Sequence, residues 1–286
     1  MNIKVLAATT ALTFAATTAA FAADASFDRT LTVGSSPNLA VTTGSGSIHL
    51  HPGSDNQVHI AAHIRSSHGW MGGGDVDARI QQIVSNPPIV QNGNDISIGE
   101  NRNNDLYRNI SIDYDITLPR ASAIAATTGS GDVDIQDVGA SLKAQSGSGS
   151  VHAHGIKGPA TLGTGSGDIE LQQTGPGDVK AETGSGSIRL QGLTGGLKAS
   201  TGSGDIQADG QPATDWKLST GSGSVRLGVG ANARFNLDAD TGSGSINVAQ
   251  PITMQGSLNH HHVSGVVNGG GPTIRANTGS GDIEIR

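Results

Sequence analysis

The histidines and the acidic residues near them are the side chains whose types and spacing could support chemistry. The sequence holds 10 histidines, and imidazole nitrogens are common ligands of transition metals. His152 and His154 are two residues apart, as are His49 and His51, so on a strand each pair would face one side and could chelate a metal. The alternative is a solvated polar surface. The predicted ligands are Asp134, His152 and Glu170 as the best cluster, with His154, His260, His261 and His262 as further candidates.

No motif in the sequence marks a catalytic centre. It lacks GxSxG, HExxH, a phosphate loop and a GxGxxG that follows a strand. The serine of a repeated Gly-Ser-Gly recurs in every unit, whereas a nucleophile would be unique and would have a partnered histidine. Carbohydrate-cleaving β-helices leave hydrolase or lyase activity open, but no acidic pair flanked by aromatics supports it. We therefore expect no catalytic residues, no cofactor and no enzymatic activity.

Composition excludes several classes of protein. There is no cysteine, so disulfides, thiolate metal sites and cysteine nucleophiles are excluded. Lys and Arg number 17 against 24 Asp and Glu, giving a net charge of −7, which offers no basic footprint for nucleic acid. Of the 286 residues, 43 are glycine and only 3% are aromatic, so a bulky single-centre core is not expected.

The N-terminus has the pattern of a secretory signal peptide. Lys4 precedes an apolar run over residues 5–19, and Ala20, Phe21 and Ala22 form an A-x-A cleavage site. We expect residues 1–22 to be removed. No later segment approaches the roughly 20 apolar residues that a membrane helix needs. The mature protein is expected in the periplasm, at the cell surface or outside the cell.

An internal repeat dominates the rest of the chain. The first glycine of each Gly-Ser-Gly recurs every 18 or 19 residues from Gly129 to Gly221. A degenerate copy of the repeat lies at residues 263–266. In one unit, residues 168–172 and 179–183 alternate polar and apolar side chains and are bounded by Gly and Pro, which predicts two short strands and two turns. The nine copies begin at Gly44, Gly129, Gly147, Gly165, Gly184, Gly202, Gly221, Gly242 and Gly279.

Such units predict an all-β fold, a parallel β-solenoid with two short strands per 18–19-residue coil over residues 126–286. Successive coils would pair at about 4.8 Å. Ile169, Leu171, Val179 and Ala181 should point inward, and so should Thr183, while glycines should serve corners that need positive φ. The nine-residue period of calcium β-rolls is absent, so integral calcium is not expected.

Stacking of equivalent residues would explain why aspartate and serine alternate at the position after each Gly-Ser-Gly. Two carboxylates at strand spacing repel, and inserting serine between them avoids this. The residue two positions further on also mixes charges. The first column reads Asp132, Ser150, Asp168, Ser187, Asp205, Ser224, Ser245 and Asp282, and the second Asp134, His152, Glu170, Arg189, Gln207, Arg226 and Asn247.

Both ends of the solenoid differ from its middle. Residues 23–125 are predicted to form N-terminal strands and a capping region with one short helix over residues 75–84, ended by Pro87 and Pro88. The C-terminal residues 282–286 have no visible cap. A terminal strand would leave backbone groups unpaired, which predicts self-association through that edge.

These motifs resemble those of the bacterial "putative adhesin" family, a β-strand-repeat group of unknown function. The resemblance rests on the Thr-Gly-Ser-Gly-Asp-Ile/Val units, on the lead-in at residues 112–119 that runs into residues 126–133, and on the amphipathic segment at 76–84. It covers most of the mature chain and implies the fold, with no catalytic residues to transfer.

We therefore expect an exported, non-enzymatic β-solenoid that acts as an adhesin-like interaction scaffold at the cell envelope. Its partner would be an envelope or surface protein or a glycan. The alternative is a periplasmic metal- or ligand-binding module that uses the outward His, Asp and Glu ladders.

Overall fold

The computed structural model describes residues 24–67, 74–99, 105–253 and 261–286. The predicted signal peptide, residues 1–22, and His260 lie outside these ranges. Within them, none of the helices has the length and apolar character that a membrane crossing requires. Almost all the regular structure of the described residues is β-strand, with one α-helix, α1 (Gly74–Ser85), and a 3-10 helix (Asp105–Tyr107).

The described strands form two large sheets, and alternation of apolar and polar residues places one face of each in a shared core. In spatial order, sheet A contains β1 (Asp24–Thr32), β4 (Gln57–Ser66), β7 (Ile110–Leu118), β3 (Ile48–Pro52), β9 (Val133–Gln136), β11 (Val151–Ile156), β13 (Ile169–Gln173), β15 (Ile188–Leu193), β17 (Ile206–Gly210), β19 (Val225–Gly228), β25 (Ile283–Ile285) and β21 (Ile246–Val248). Sheet B contains β22 (Ile252–Thr253), β23 (His262–Val267), β20 (Phe235–Ser243), β24 (Thr273–Ser280), β18 (Trp216–Ser222), β16 (Leu197–Thr201), β14 (Val179–Thr183), β12 (Ala160–Thr164), β10 (Ser141–Ser146), β8 (Ala123–Ser130), β2 (Asn38–Ser45), β6 (Asp95–Gly99) and β5 (Ile89–Asn92).

Each coil consists of a sheet B strand, a Gly-Ser-Gly corner and a sheet A strand. Strands of neighbouring coils pair parallel and in register, as β12 does with β14 and β13 with β15. Ile169, Leu171, Val179 and Ala181 are all buried, as their alternation predicted. The all-β parallel solenoid is therefore confirmed, and its core is a thin slab of aliphatic side chains between the sheets.

The first repeat belongs to the stack although it lies in the N-terminal region. Strand β2 pairs with β8 and β3 pairs with β9, so the coil built around Gly44 continues the solenoid. Residues 125 and 126 lie within β8, so both sheets continue without interruption from the N-terminal region into the repeats. The chain between β3 and β8 forms the end of the stack. There β6 and β7 pair with β2 and β3, and the apolar face of α1 is buried through Val76, Ile80 and Ile83.

From β8 onward, the order of the coils follows the chain except at the last two. The C-terminal coil, β24–β25, lies between the β18–β19 coil and the β20–β21 coil. The prediction of an unpaired C-terminal strand is therefore wrong, because β25 is paired on both sides. Among the described strands, β21 is the outermost of sheet A at this end. The excursion through β22 and β23 makes this possible, since β23 pairs antiparallel with β20 before the chain returns.

The corner glycines are required mainly by close stacking. A Cβ on Gly184 would lie 2.3 Å from the carbonyl oxygen of Gly165 in the preceding coil, far inside van der Waals contact. Positive φ occurs at only some corners, for example at Gly131 with φ 145°. The expectation that positive φ explains the glycines thus holds in part, and backbone approach between coils is the more general cause.

The threonine or, at Ser146, the serine before each corner points inward, as predicted for Thr183. Its hydroxyl donates to the carbonyl of Gly167 at 2.9 Å and accepts from the N–H of Gly186 at 3.2 Å. The side chain is 7% exposed, so the stacked threonines fill the corner of the core and do not form an exposed array. Each hydroxyl ties its own corner to the neighbouring coil.

Candidate interaction surface

The outward positions of sheet A form one continuous ladder across ten neighbouring strands. Imidazole, guanidinium or amide groups separate the acidic side chains, so no two carboxylates are adjacent. This ladder places the predicted second column in space and adds members at both ends. In spatial order it contains Asp115, His49, Asp134, His152, Glu170, Arg189, Gln207, Arg226, Glu284 and Asn247.

Asp134 is the best-connected acidic residue of this ladder. Its Oδ2 lies 3.2 Å from His49 Nδ1, and its Oδ1 lies 3.0 Å from His152 Nδ1. The Asp134 side chain is 29% exposed and those of the two histidines 41% and 37%, so the group is accessible from solvent. One carboxylate therefore bridges two imidazoles on the strands either side of it.

The structure brings the predicted cluster onto three adjacent strands but joins only two of its members. Asp134 and His152 are hydrogen-bonded. Glu170 lies opposite His152 on one side and Arg189 on the other, in the same ladder. His49 was expected to chelate with His51 on its own strand and was not placed beside Asp134, yet it follows its Gly-Ser-Gly at the same interval as Asp134 does. That interval was the available signal for the contact.

His154 has no acidic neighbour across its strands. It lies opposite Gln136 and Gln172, which are neutral. His152 and His154 do share the outward face of β11, as expected, but only His152 has a carboxylate partner at that face. No acidic side chain therefore lies opposite His154 to support a metal site formed by His152 and His154.

His262 lies in a second cluster, at the C-terminal end of sheet B. Its Nδ1 is 2.7 Å from Asp240 Oδ1, and potential ligand atoms of Asp238, Asp240 and His262 all lie within 4.8 Å of one another. This is the one such group of three found in the described part of the chain. The backbone carbonyl of His261 accepts the N–H of Thr241 at 2.9 Å. His260 lies outside the described residues.

Two further histidines pair with aspartates at the N-terminal end of sheet A. His59 Nε2 lies 3.2 Å from Asp28 Oδ2, and His63 Nε2 lies 2.9 Å from Asp24 Oδ1. Each of these pairs has a single carboxylate and joins β4 to β1. The N-terminal half of sheet A is thus rich in imidazole–carboxylate contacts.

The C-terminal half of the ladder has guanidinium groups in place of imidazoles. Arg226 donates to Asp205 Oδ2 at 2.9 Å, and the backbone N–H of Ser224 donates to Asp205 Oδ1 at 2.8 Å. These contacts hold the pKa of Asp205 below its ordinary value, the backbone hydrogen bond being the larger cause. The carboxylate is therefore kept charged, and it holds both the backbone of the next coil and the Arg226 side chain in place.

Comparison with known proteins gives a family and two distant structures. The Toastrack DUF4097 family matches residues 74–286. A "putative cell adhesion protein" from Clostridium sporogenes ATCC 15579 aligns with a TM-score of 0.33 at 14% identity, over 91% of this chain and 99% of that one. A "putative adhesin" from Bacteroides fragilis NCTC 9343 aligns with a TM-score of 0.44 at 14% identity, over 92% and 97%. No curated protein matches the chain significantly.

Proposed function

The chain belongs to the Toastrack DUF4097 family, and we propose that it is an exported, non-enzymatic interaction scaffold of the adhesin type at the cell envelope. The observation that carries the proposal is the ladder of outward polar and charged side chains on sheet A. It is held on a rigid stack of coils whose inward positions are already filled by the core.

The physics of a solenoid suits this role. Each coil contacts only its neighbours, so lengthening the stack extends a flat surface without changing the core. Side chains then repeat at about 4.8 Å along the stack. A partner that binds such a face gains affinity from many modest polar contacts. We propose an envelope or surface protein or a glycan as that partner.

Export is the second element of the proposal. It rests on the charged start, the apolar run and the Ala20-Phe21-Ala22 cleavage pattern. We propose that the protein from residue 23 onward acts in the periplasm or at the cell surface. Fractionation of cells that express the full chain, with mass spectrometry of the N-terminus, tests this directly. Retention of residues 1–22 in the cytoplasmic fraction would contradict it.

The binding role is tested with the mature chain immobilised and exposed to solubilised envelope extract. In a double variant, Glu170→Arg with Arg189→Glu, the two charges exchange places, so the ladder keeps an ion pair but presents a changed pattern. We expect the double variant to lose most of the captured material. The matched control is Lys143→Glu, an exposed charge reversal on sheet B.

Three outcomes of that experiment would count against the proposal. Capture of nothing by the wild-type chain would remove the binding role. Equal capture by the wild-type and the double variant would remove the ladder as the binding surface. Equal loss in the double variant and in the Lys143 control would also do so, since non-specific charge would then explain the binding.

A further inference from the structure

We propose that Asp238, Asp240 and His262 bind one divalent transition-metal ion at the C-terminal end of sheet B. Asp240 lies directly opposite His262 in the antiparallel pair of β20 and β23. Asp238 is two residues before Asp240, so both aspartates project from the same face of β20. Two hydrogen-bonded strands therefore aim three ligand atoms at one point, all within 4.8 Å of one another.

The charge arrangement distinguishes this cluster from the other histidine–aspartate contacts. His59 and His63 each meet one carboxylate, and Asp134 is shared between two imidazoles. At His262 the ratio is reversed, because two carboxylates converge on one imidazole. Arg275 lies beside the cluster, with its Nε 3.8 Å from Asp238 Oδ2.

The convergence lies along one strand, whereas the charge pattern of the fold separates acids only between neighbouring strands. Along the corner column serine separates successive aspartates, and along the sheet A ladder other groups separate the acids. Two carboxylates at one point repel unless a positive charge lies between them. A bound dication would supply that charge, which neither the half-exposed imidazole nor the long contact to Arg275 does fully.

The donor set indicates the class of metal. Two carboxylate oxygens and one imidazole nitrogen suit zinc and neighbouring first-row ions, and three protein ligands leave a position for water. Calcium prefers six to eight oxygen ligands and gains little from imidazole. The three side chains are 43%, 53% and 48% exposed, so an ion can reach them from solvent without a structural opening.

The position of the cluster gives the ion a structural effect. Strand β23 lies between β20 and β22 in sheet B, and it belongs to the excursion that carries the chain back to the C-terminal coil. An ion held by residues of both β20 and β23 would cross-link these two strands. Because it would bind the folded state alone, it would raise the thermal midpoint, and the rise would continue with the logarithm of the metal concentration above the Kd.

Isothermal titration of the mature chain with Zn²⁺, and with Ca²⁺ for comparison, tests the site. We expect binding of one Zn²⁺ with a rise in Tm, and much weaker Ca²⁺ binding. His262→Gln and Asp240→Asn should each weaken Zn²⁺ binding at least 10-fold. His63→Gln is the matched control, since it removes an equally exposed histidine that has one carboxylate partner, and it should bind as the wild-type does. Arg275→Gln should tighten binding several-fold, because it removes a competing cation.

The neighbouring histidines require a separate arm. A double variant, Asp238→Asn with Asp240→Asn, keeps His260, His261 and His262, and should lose the site. Zn²⁺ binding that survives in this variant would assign it to the histidine run alone and overturn the proposal. Absence of Zn²⁺ binding by the wild-type, or equal loss in the His63 control, would overturn it as well. Circular dichroism of each variant verifies folding, and the Asp240→Asn variant serves if His262→Gln does not fold.

Discussion

The Asp282 carboxylate accepts a hydrogen bond from the backbone N–H of Ser245 at 2.8 Å, although Ser245 comes 37 residues earlier in the chain. The same contact joins Asp168 to Ser187 and Asp205 to Ser224, which belong to successive coils. Insertion of the C-terminal coil puts Asp282 between two serines that would otherwise be neighbours. In space the alternation is then unbroken: Asp113, Ser47, Asp132, Ser150, Asp168, Ser187, Asp205, Ser224, Asp282 and Ser245.

The alternation can be tested at the centre of the stack. Ser187→Asp places a third carboxylate between those of Asp168 and Asp205, and we expect it to lower the free energy of unfolding by about 1 kcal/mol at low salt. Added salt should recover part of the loss. Urea unfolding at two ionic strengths measures both effects.

The matched control for that variant adds Asp168→Ser and Asp205→Ser, so that the introduced aspartate lies between two serines and no two carboxylates are adjacent. This triple variant loses the hydrogen bonds that the Asp168 and Asp205 carboxylates accept, but added salt should no longer increase its stability as it does in the single variant. If added salt stabilises the single and triple variants equally, repulsion between stacked carboxylates is not the reason for the pattern.

Close stacking at the corners predicts a sharp difference between two glycines. Gly184→Ala should destabilise the protein by about 3 kcal/mol, at the upper end of overpacking costs, because its Cβ would meet the Gly165 carbonyl oxygen at 2.3 Å. Gly163→Ala is the control, since the nearest atom to its Cβ would be the Glu182 carbonyl oxygen at 3.8 Å. Equal Tm values for the two variants would argue against backbone approach as the cause.

The lowered pKa of Asp205 predicts the sign of an acid effect. The Ser224 N–H and then Arg226 hold the folded-state pKa below the unfolded one, so the contribution to stability is present above the unfolded pKa, about 4. It is lost as pH falls through the folded pKa. Asp205→Asn should therefore lower Tm at neutral pH and show a shallower loss of stability in acid. Parallel curves of Tm against pH for the variant and wild-type would contradict this.

The position of β25 predicts slow amide exchange at the C-terminus. The Ile283 N–H donates to the Ser245 carbonyl at 2.9 Å, and the Arg286 N–H donates to the Leu227 carbonyl at 2.8 Å. Hydrogen exchange followed by mass spectrometry should show residues 280–286 protected to a degree similar to β19. Rapid exchange there would instead indicate the free edge strand that the sequence suggested.

The repeat period was enough to predict the coils, their inward aliphatic residues and the buried threonines, because each depends on local alternation. The order of the last two coils depends on pairing between distant segments, which spacing does not reveal. One signal was nevertheless present. Two successive repeats carry serine, Ser224 and Ser245, at a position where serine elsewhere alternates with aspartate. Placing Asp282 between them restores the alternation.

The candidate sites show the same limit. Asp134 and His152 could be predicted because they occupy equivalent places in adjacent, regular repeats. Asp238 and Asp240 could not be connected to His262, since their contact depends on an antiparallel pairing that interrupts the repeat. Residues on the regular coils were thus accessible to sequence reasoning, and those at the irregular ends were not.

Insertion of β24–β25 before β20–β21 also constrains how the molecule is assembled. Growth by adding each coil in the order of the chain can proceed as far as β19. The next coil, β20–β21, has no neighbouring coil of the stack to pair with until β24–β25 is available, so it must wait or dock temporarily in the wrong place. Completion of this end therefore requires a later segment of the polypeptide to insert between two earlier ones.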